Sequence, residues 1–239
     1  ITQTFGWRAA FITIFVATLA LLALLFVKLP RQNRLKAGSI LEQFKLFLDK
    51  RISIGCAIVF LAGASTYCFY TYLTPIFQQE LHIPDSMLSL ALLIFGIAAI
   101  TSNVSSGQVA NKTGIRMLPL IYVIQTVCLL LLPIATHNLI SGGLVLFILG
   151  VMMYLLNSPL QMHFLNIATR EHPACVNLAS SLISVFFNFG IAAGSAMGGV
   201  IVKYAGLRFV GIGGAVPGIG AIICAMILLQ IMKPGADIR

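Results

Sequence analysis

Ile52–Leu73 reads ISIGCAIVFLAGASTYCFYTYL, an apolar run with no charged residue. As a helix it is long enough to cross a hydrocarbon core of about 30 Å. Six further runs of similar character lie at Ala9–Leu29, Met87–Val109, Leu118–Thr136, Leu139–Leu165, Val176–Val202 and Phe209–Met232. With 59% apolar and 9% charged residues and a mean hydropathy of +1.00, the composition departs far from that of a soluble domain. The reading is an all-α integral membrane protein of seven spans.

The net charge of +9 does not imply nucleic acid as a partner, because the basic residues flank the spans and form no polar domain. Seven of them, from Lys28 to Arg51, surround the first connection, which the positive-inside rule places in the cytoplasm. Alternation then puts twelve of the fifteen lysines and arginines inside, leaving Arg8, Lys203 and Arg208 outside. The expected topology has an outer N-terminal end and a cytoplasmic C-terminus. A cleavable signal peptide is not expected, since the first run is too long and ends in Lys28 and Arg31. The chain opens at Ile1 and enters at Thr4-Phe5-Gly6-Trp7-Arg8, so a segment upstream is expected. Cys56, Cys68, Cys128, Cys175 and Cys224 lack metal-type spacing and read as packing residues.

Residues 30–51 form the one long connection and separate a single span (1–29) from a module of six (52–239). Within it, Ser39-Ile40-Leu41-Glu42 has the form of a capping box, and Ile40, Leu41, Phe44, Phe47 and Leu48 share a helical face. This pattern predicts a short amphipathic helix on the cytoplasmic membrane surface.

Polar residues inside the spans point to function, since a polar group facing lipid is costly and turns toward a cavity or a partner helix. Tyr67, Tyr70, Thr71 and Thr74 share one face of the second span, and Tyr154, Asn157, Ser158 and Gln161 repeat the spacing on the fifth. Asn177, Ser180, Ser181, Ser184 and Asn188 form a stripe on the sixth, and the third adds Ser102, Ser105 and Ser106. The cavity expected from these stripes is lined by Tyr67, Tyr70, Thr71, Asn157, Gln161 and Asn188. The first and seventh spans are almost without polar residues and are expected to be peripheral. Gly190, Gly194 and Gly198 recur every four residues, a spacing that lets another helix approach closely.

The connection after the third span reads Gly107-Gln-Val-Ala-Asn111-Lys112-Thr-Gly114-Ile-Arg116. It resembles the cytoplasmic loop signature of the major facilitator superfamily, in which a glycine, an aspartate, a basic residue, a glycine and a further basic residue latch helix ends together. Gly107, Lys112, Gly114 and Arg116 match; Asn111 stands where aspartate is usual. Gly6-Trp7-Arg8-Ala9-Ala10-Phe11, Tyr70-Thr-Tyr-Leu-Thr-Pro75 and Asn188 through Gly199 resemble the family's sixth, seventh and eleventh helices, in its drug and sugar efflux branch. The resemblance covers nearly the whole chain. It implies a C-terminal six-helix half of a twelve-helix fold plus one preceding helix, with an N-terminal half of the same protein as partner.

The implied activity is proton-driven efflux of a small organic solute across a bacterial inner membrane by alternating access, with no cofactor beyond the proton gradient and no metal. Uptake by the same fold is the alternative. No acidic side chain lies mid-span, so an uncharged or weakly charged substrate is expected, and His163 is the titratable candidate for carrying a proton. A retinal-type receptor would need a lysine within its last span, and Phe209–Met232 has none. An enzyme would need a cluster of acid–base or ligand residues; Glu171 and His172 beside Arg170 come nearest and read as a solvated loop.

Overall fold

A computed structural model describes residues 2–28 and 46–232. The chain divides into two units, Ile1–Lys36 and Ala37–Arg239. The first contains α1 (Thr2–Lys28), whose side chains from Phe11 to Lys28 are all exposed. Its two mid-helix threonines satisfy themselves: the Thr13 hydroxyl donates to the Ala9 carbonyl and that of Thr18 to Ile14, both at 2.8 Å. Most of the expected amphipathic surface helix lies outside the described residues; Leu46–Leu48 form a 3₁₀ turn.

The second unit is a helical bundle with no strand among the described residues. Its helices are α2 (Lys50–Tyr70), α3 (Asp85–Lys112), α4 (Leu118–Ala135), α5 (Leu139–Met152), α6 (Asn157–Glu171), α7 (Val176–Tyr204) and α8 (Val210–Ile231). The described chain holds seven helical segments of membrane-spanning length and hydropathy, α5 and α6 together making one of them.

Two of the expected spans are interrupted. Hydropathy predicts a continuous fifth span from Leu139 to Leu165, but α5 stops at Met152, residues 153–156 form a turn, and α6 starts at Asn157. Pro159 has no N–H for the Leu155 carbonyl, and its ring crowds that carbonyl. The second span ends in the same way. After Tyr70 the chain makes a turn through Thr71 and Tyr72, a single helical turn at Leu73–Pro75 and a π-helical stretch at Ile76–Glu80. Pro75 removes the donor that would have met the Thr71 carbonyl.

The bundle is organised on α2, which packs along both α7 and α8. Gly190, Gly194 and Gly198 turn inward toward it and are buried. A Cβ on Gly190 would lie 3.0 Å from the Ala64 nitrogen, one on Gly194 would lie 2.8 Å from the Ala64 Cα, and one on Gly198 would lie 2.5 Å from the Cys68 carbonyl oxygen. The matched residues rise together along the two helices, so α2 and α7 are parallel and touch backbone to backbone.

The seventh span, expected at the periphery, is packed more closely than that. Gly211, Gly214, Ala215, Gly218, Ala221, Ala225 and Leu228 of α8 are buried against α2 and α4, while Ile212, Val216, Ile219, Ile223 and Ile227 form an exposed apolar face. Small residues on one face of α8 let it approach two helices, and branched residues on the other suit contact with lipid.

Two polar clusters mark the ends of the bundle. At one, Arg51 at the start of α2 pairs with Asp49 and with Glu171 at the end of α6. At the other, Arg208 before α8 donates to the Pro133 carbonyl at 2.9 Å and bonds the His137 ring at the end of α4. Glu171, read as part of a solvated loop, is the last residue of a helix, exposed yet ion-paired.

Replacing Gly194 with leucine drives a side chain into the α2 backbone and is expected to cost about 1–3 kcal/mol. Gly107→Ala, within α3 where a Cβ meets nothing within 4 Å, does not destabilise the protein and raises its stability by up to about 1 kcal/mol. Thermal unfolding of detergent-purified protein, followed by size-exclusion chromatography, separates the two.

Candidate substrate-binding face

The break in the fifth span and the end of α2 bring the aromatic residues together. Tyr67 and Tyr70 meet edge to face with centroids 5.2 Å apart, and Tyr70 stacks on Phe95 of α3 at 5.7 Å. Phe187 of α7 sits edge-on to Tyr67 at 5.8 Å and lies 6.5 Å from Tyr154 in the break. Residues of α2, α3, α7 and the α5–α6 turn thus form a continuous cluster of rings with phenolic hydroxyls among them. Such a surface offers stacking to a flat or ring-shaped solute and hydrogen bonds at its edges.

The other expected lining residues surround this cluster to different degrees. Thr71 is exposed; its hydroxyl lies 2.8 Å from the Tyr67 carbonyl and 2.8 Å from the Ser195 hydroxyl of α7. Asn157, half-buried, begins α6 one turn beyond Tyr154, and its backbone N–H donates to the Tyr154 carbonyl at 3.1 Å. Gln161 follows by one turn and its amide donates to the Ser180 carbonyl of α7 at 3.2 Å, tying α6 to α7. Asn188 is exposed on the same stripe of α7 as Ser181 and Ser184, and its amide donates to the Ser184 carbonyl at 2.7 Å. Tyr67, Tyr70 and Thr71 therefore meet the cluster directly, Asn157 and Gln161 extend it along α6, and Asn188 stands apart on its own helix.

Phe95 and Phe187 were not singled out from the sequence, since each sits in a run of apolar residues that gives no functional signal. A second missed feature lies deeper. The Gln125 amide of α4 donates to the hydroxyls of Ser65 at 3.2 Å and Thr66 at 3.1 Å, all three residues being buried. The Thr126 hydroxyl in the same region is buried without a partner. This node joins α2 to α4 within the protein and faces no open surface.

Ser102 and Ser106, counted with the cavity stripes, are fully buried and bond the backbone of the fifth span. His163 is buried too, its Nε2 without a partner, beside the Phe164 ring at 6.0 Å centroid distance and close to the Arg51 backbone. In the loop motif, α3 continues through Gly107, Asn111 and Lys112. Gly114 follows at a φ of 57°, the left-handed conformation that glycine adopts without strain. Asn111, Lys112 and Arg116 are exposed, and buried Ile115 anchors the turn.

A cavity of about 510 Å³ beside α2 and α7 is lined by Phe47, Ser53, Cys56, Ala57, Phe60, Phe186 and Phe189. A smaller, more polar one of about 290 Å³ lies near His137 and Arg208. The free cysteines Cys56, Cys68, Cys128 and Cys175 are buried and Cys224 is half-buried. Ligand atoms of Asp49, Glu171 and His172 lie within 4.8 Å of one another, but the Arg51 guanidinium is paired with both carboxylates.

Comparison with known proteins agrees with this architecture. A family model described as "Major Facilitator Superfamily" matches residues 1–177. The chain belongs to the major facilitator superfamily. It is 28% identical over 226 residues to a protein named "Uncharacterized MFS-type transporter YtbD" from Bacillus subtilis (strain 168), an alignment covering 93% of this chain and 57% of that protein. It is also 28% identical over 216 residues to the "Probable sugar efflux transporter" of Pasteurella multocida (strain Pm70), covering 90% of this chain and 52% of that one. The chain thus spans about half the length of these curated relatives. As a superfamily member with seven membrane-length helices it is a multi-pass membrane protein of a transporter family.

The ion pair at the start of α2 makes a prediction about pH. Partial burial of Asp49 opposes ionisation, but hydrogen bonds from the Arg51 side chain and backbone and the nearby guanidinium charge outweigh it, holding the carboxyl below its ordinary value of 3.8. Stabilisation from this group is complete above that value and is lost as the pH falls through the lowered one. Asp49→Asn is therefore expected to flatten the acid limb of a melting-temperature profile below about pH 4, with little effect at pH 7 beyond a surface pair's 0–1 kcal/mol. An unchanged acid limb would show that the pair does not contribute.

Proposed function

We propose that this chain is the C-terminal part of a secondary active exporter of a small, uncharged or weakly charged organic solute, of which sugars are the leading class. The observation that carries the reading is the ring cluster of Tyr67, Tyr70, Phe95, Tyr154 and Phe187, flanked by Thr71, Asn157 and Gln161. It presents hydroxyls, amides and aromatic faces with no charged residue among them, which is the chemistry that receives a sugar or similar ring and disfavours an ion. The name of the Pasteurella relative supports export and the sugar class.

In this reading the seven spans are the sixth to twelfth of a twelve-helix transporter, and substrate binds between this part and an N-terminal half of the same protein. The charge bias of the connections supports placing the Arg51 end in the cytoplasm of a bacterial inner membrane. A proton gradient drives export, and the coupling carboxylate belongs to the other half, because the described spans here carry none at mid-depth. Asn188 and the loop residues Lys112 and Arg116 face that half, the first at the cavity and the latter two as part of the latch.

Efflux of a panel of sugars, nucleosides and dyes from energised cells expressing the full-length protein tests this, with and without a protonophore. Export that the protonophore abolishes is expected. Tyr70→Ala or Asn157→Ala should slow it about tenfold or more while the protein still reaches the membrane, the loss expected for one good contact to substrate. Accumulation in place of export would reverse the direction, and no transport of any compound would overturn the proposal.

A further inference from the structure

The interrupted fifth span leaves backbone groups that a continuous helix would satisfy internally, and α3 takes them up. The Ser102 hydroxyl accepts from the Tyr154 N–H at 2.8 Å. The Ser106 hydroxyl accepts from the Ser158 N–H at 2.8 Å and donates to the Leu155 carbonyl at 3.1 Å. That carbonyl is the one Pro159 cannot serve. Within the turn itself, Met153, Leu155 and Asn157 donate to Gly150, Met152 and Tyr154 at 3.4, 3.4 and 3.1 Å, all short-range bonds.

The two helices are in register. Ser102 faces Tyr154 and Ser106 faces Ser158, an offset of 52 residues each time. One turn earlier the same offset sets Ala98 against Gly150, where an added Cβ would meet the Ala98 methyl at 3.0 Å. A parallel zipper of small residues on α3 therefore runs alongside the break, with hydroxyls set against the Tyr154 and Ser158 N–H groups and the Leu155 carbonyl. Both serines are fully buried, so water does not replace them.

We infer that Ser102 and Ser106 are positioning residues for the substrate-binding face: they hold the break in one geometry and thereby set Tyr154 in the ring cluster, with Asn157 one turn beyond it. The inference rests on the transport reading only for its consequence for substrate. Ser106 is the stronger of the two, because one hydroxyl serves both a donor and an acceptor of the broken helix.

The test uses the full-length protein carrying Ser102→Ala, Ser106→Ala, Ser106→Thr or, as a control, Thr101→Ala, whose hydroxyl donates within its own helix to the Ile97 carbonyl. Amide hydrogen exchange over residues 153–158 should accelerate about tenfold or more in Ser106→Ala, with a smaller rise in Ser102→Ala. The control and the threonine variant, which keeps its hydroxyl, should match the parent. Pro159→Ala returns an N–H to the Leu155 carbonyl, so Ser106→Ala should accelerate exchange less in that background than alone. For efflux of radiolabelled arabinose, Ser106→Ala should raise KM several-fold with a smaller change in maximal rate, and Ser106→Thr should restore it.

Unchanged exchange in both alanine variants would overturn the inference, as would a fall in maximal rate at constant KM, which marks loss of folded protein. A parent that exports nothing from the panel defeats the transport reading alone, since the exchange measurements still decide whether the serines hold the break.

Discussion

A peptide N–H or C=O left unbonded in hydrocarbon costs several kcal/mol, and this chain places Pro133, Pro159 and Pro217 within spans and Pro75 at the end of another. A proline within a helix removes one helical bond, and the surroundings of Pro159, Pro133 and Pro75 differ in how they accommodate the loss. Pro159 frees the Leu155 carbonyl, which receives the Ser106 hydroxyl from α3. Pro133 frees the Leu129 carbonyl, which lies against Gly211 of α8, where the lack of a side chain permits the approach. At Pro75 the chain abandons regular α-helix for a turn and a π-helical stretch. At Pro159 the interhelical contact meets the backbone's need for a partner directly.

Around α7 the same economy separates three roles by angle. Glycines at 190, 194 and 198 face α2 and bring the backbones together. A polar stripe holding Ser184, Asn188 and Ser195 lies to one side, where Ser195 meets Thr71 and Phe187 meets Tyr67 and Tyr154. On the other side Val185, Phe189 and Val200 are exposed and apolar. A helix with three distinct faces belongs between a partner helix, a wet surface and an apolar neighbour, the setting of a helix that borders a substrate path.

The number and helical type of the membrane spans were legible in the sequence because the bilayer imposes a length and a hydropathy that few other environments demand. Gly190, Gly194 and Gly198 were legible for a similar reason: their spacing has one cheap explanation. The break at residues 153–156 was not. Hydropathy registers the medium around a segment and is blind to whether its hydrogen bonds close locally, so Leu139–Leu165 read as one span although Pro159 stood within it. Polar spacing also misled where burial was concerned. Ser102 and Ser106 look like Tyr67 and Tyr70 on a helical wheel, yet the serines serve backbone while the tyrosines, paired with each other on α2, meet the rings of Phe187 and Phe95 on neighbouring helices. Phe95 and Phe187 were invisible because an aromatic ring in an apolar span has the same signature whether it meets lipid, core or ligand.

Buried hydroxyls and amides in this protein therefore need sorting by their partners before they are read as a binding surface. Gln125 spends its donor on Ser65 and Thr66 between α2 and α4, and Gly218 of α8 crosses so near that a Cβ there would lie 3.2 Å from the Ser65 hydroxyl. Those groups are already paired inside a closed three-helix contact, where a solute has no room to enter. Asn157 differs in kind: it is half-buried, at the first turn of a helix whose preceding turn is held from outside. A side chain at such a position can turn toward a ligand without breaking the bonds that hold the bundle. The span interrupted by proline is thus where a polar group can be kept oriented in lipid and still be available, which an unbroken helix, with its backbone bonds all internal, does not arrange.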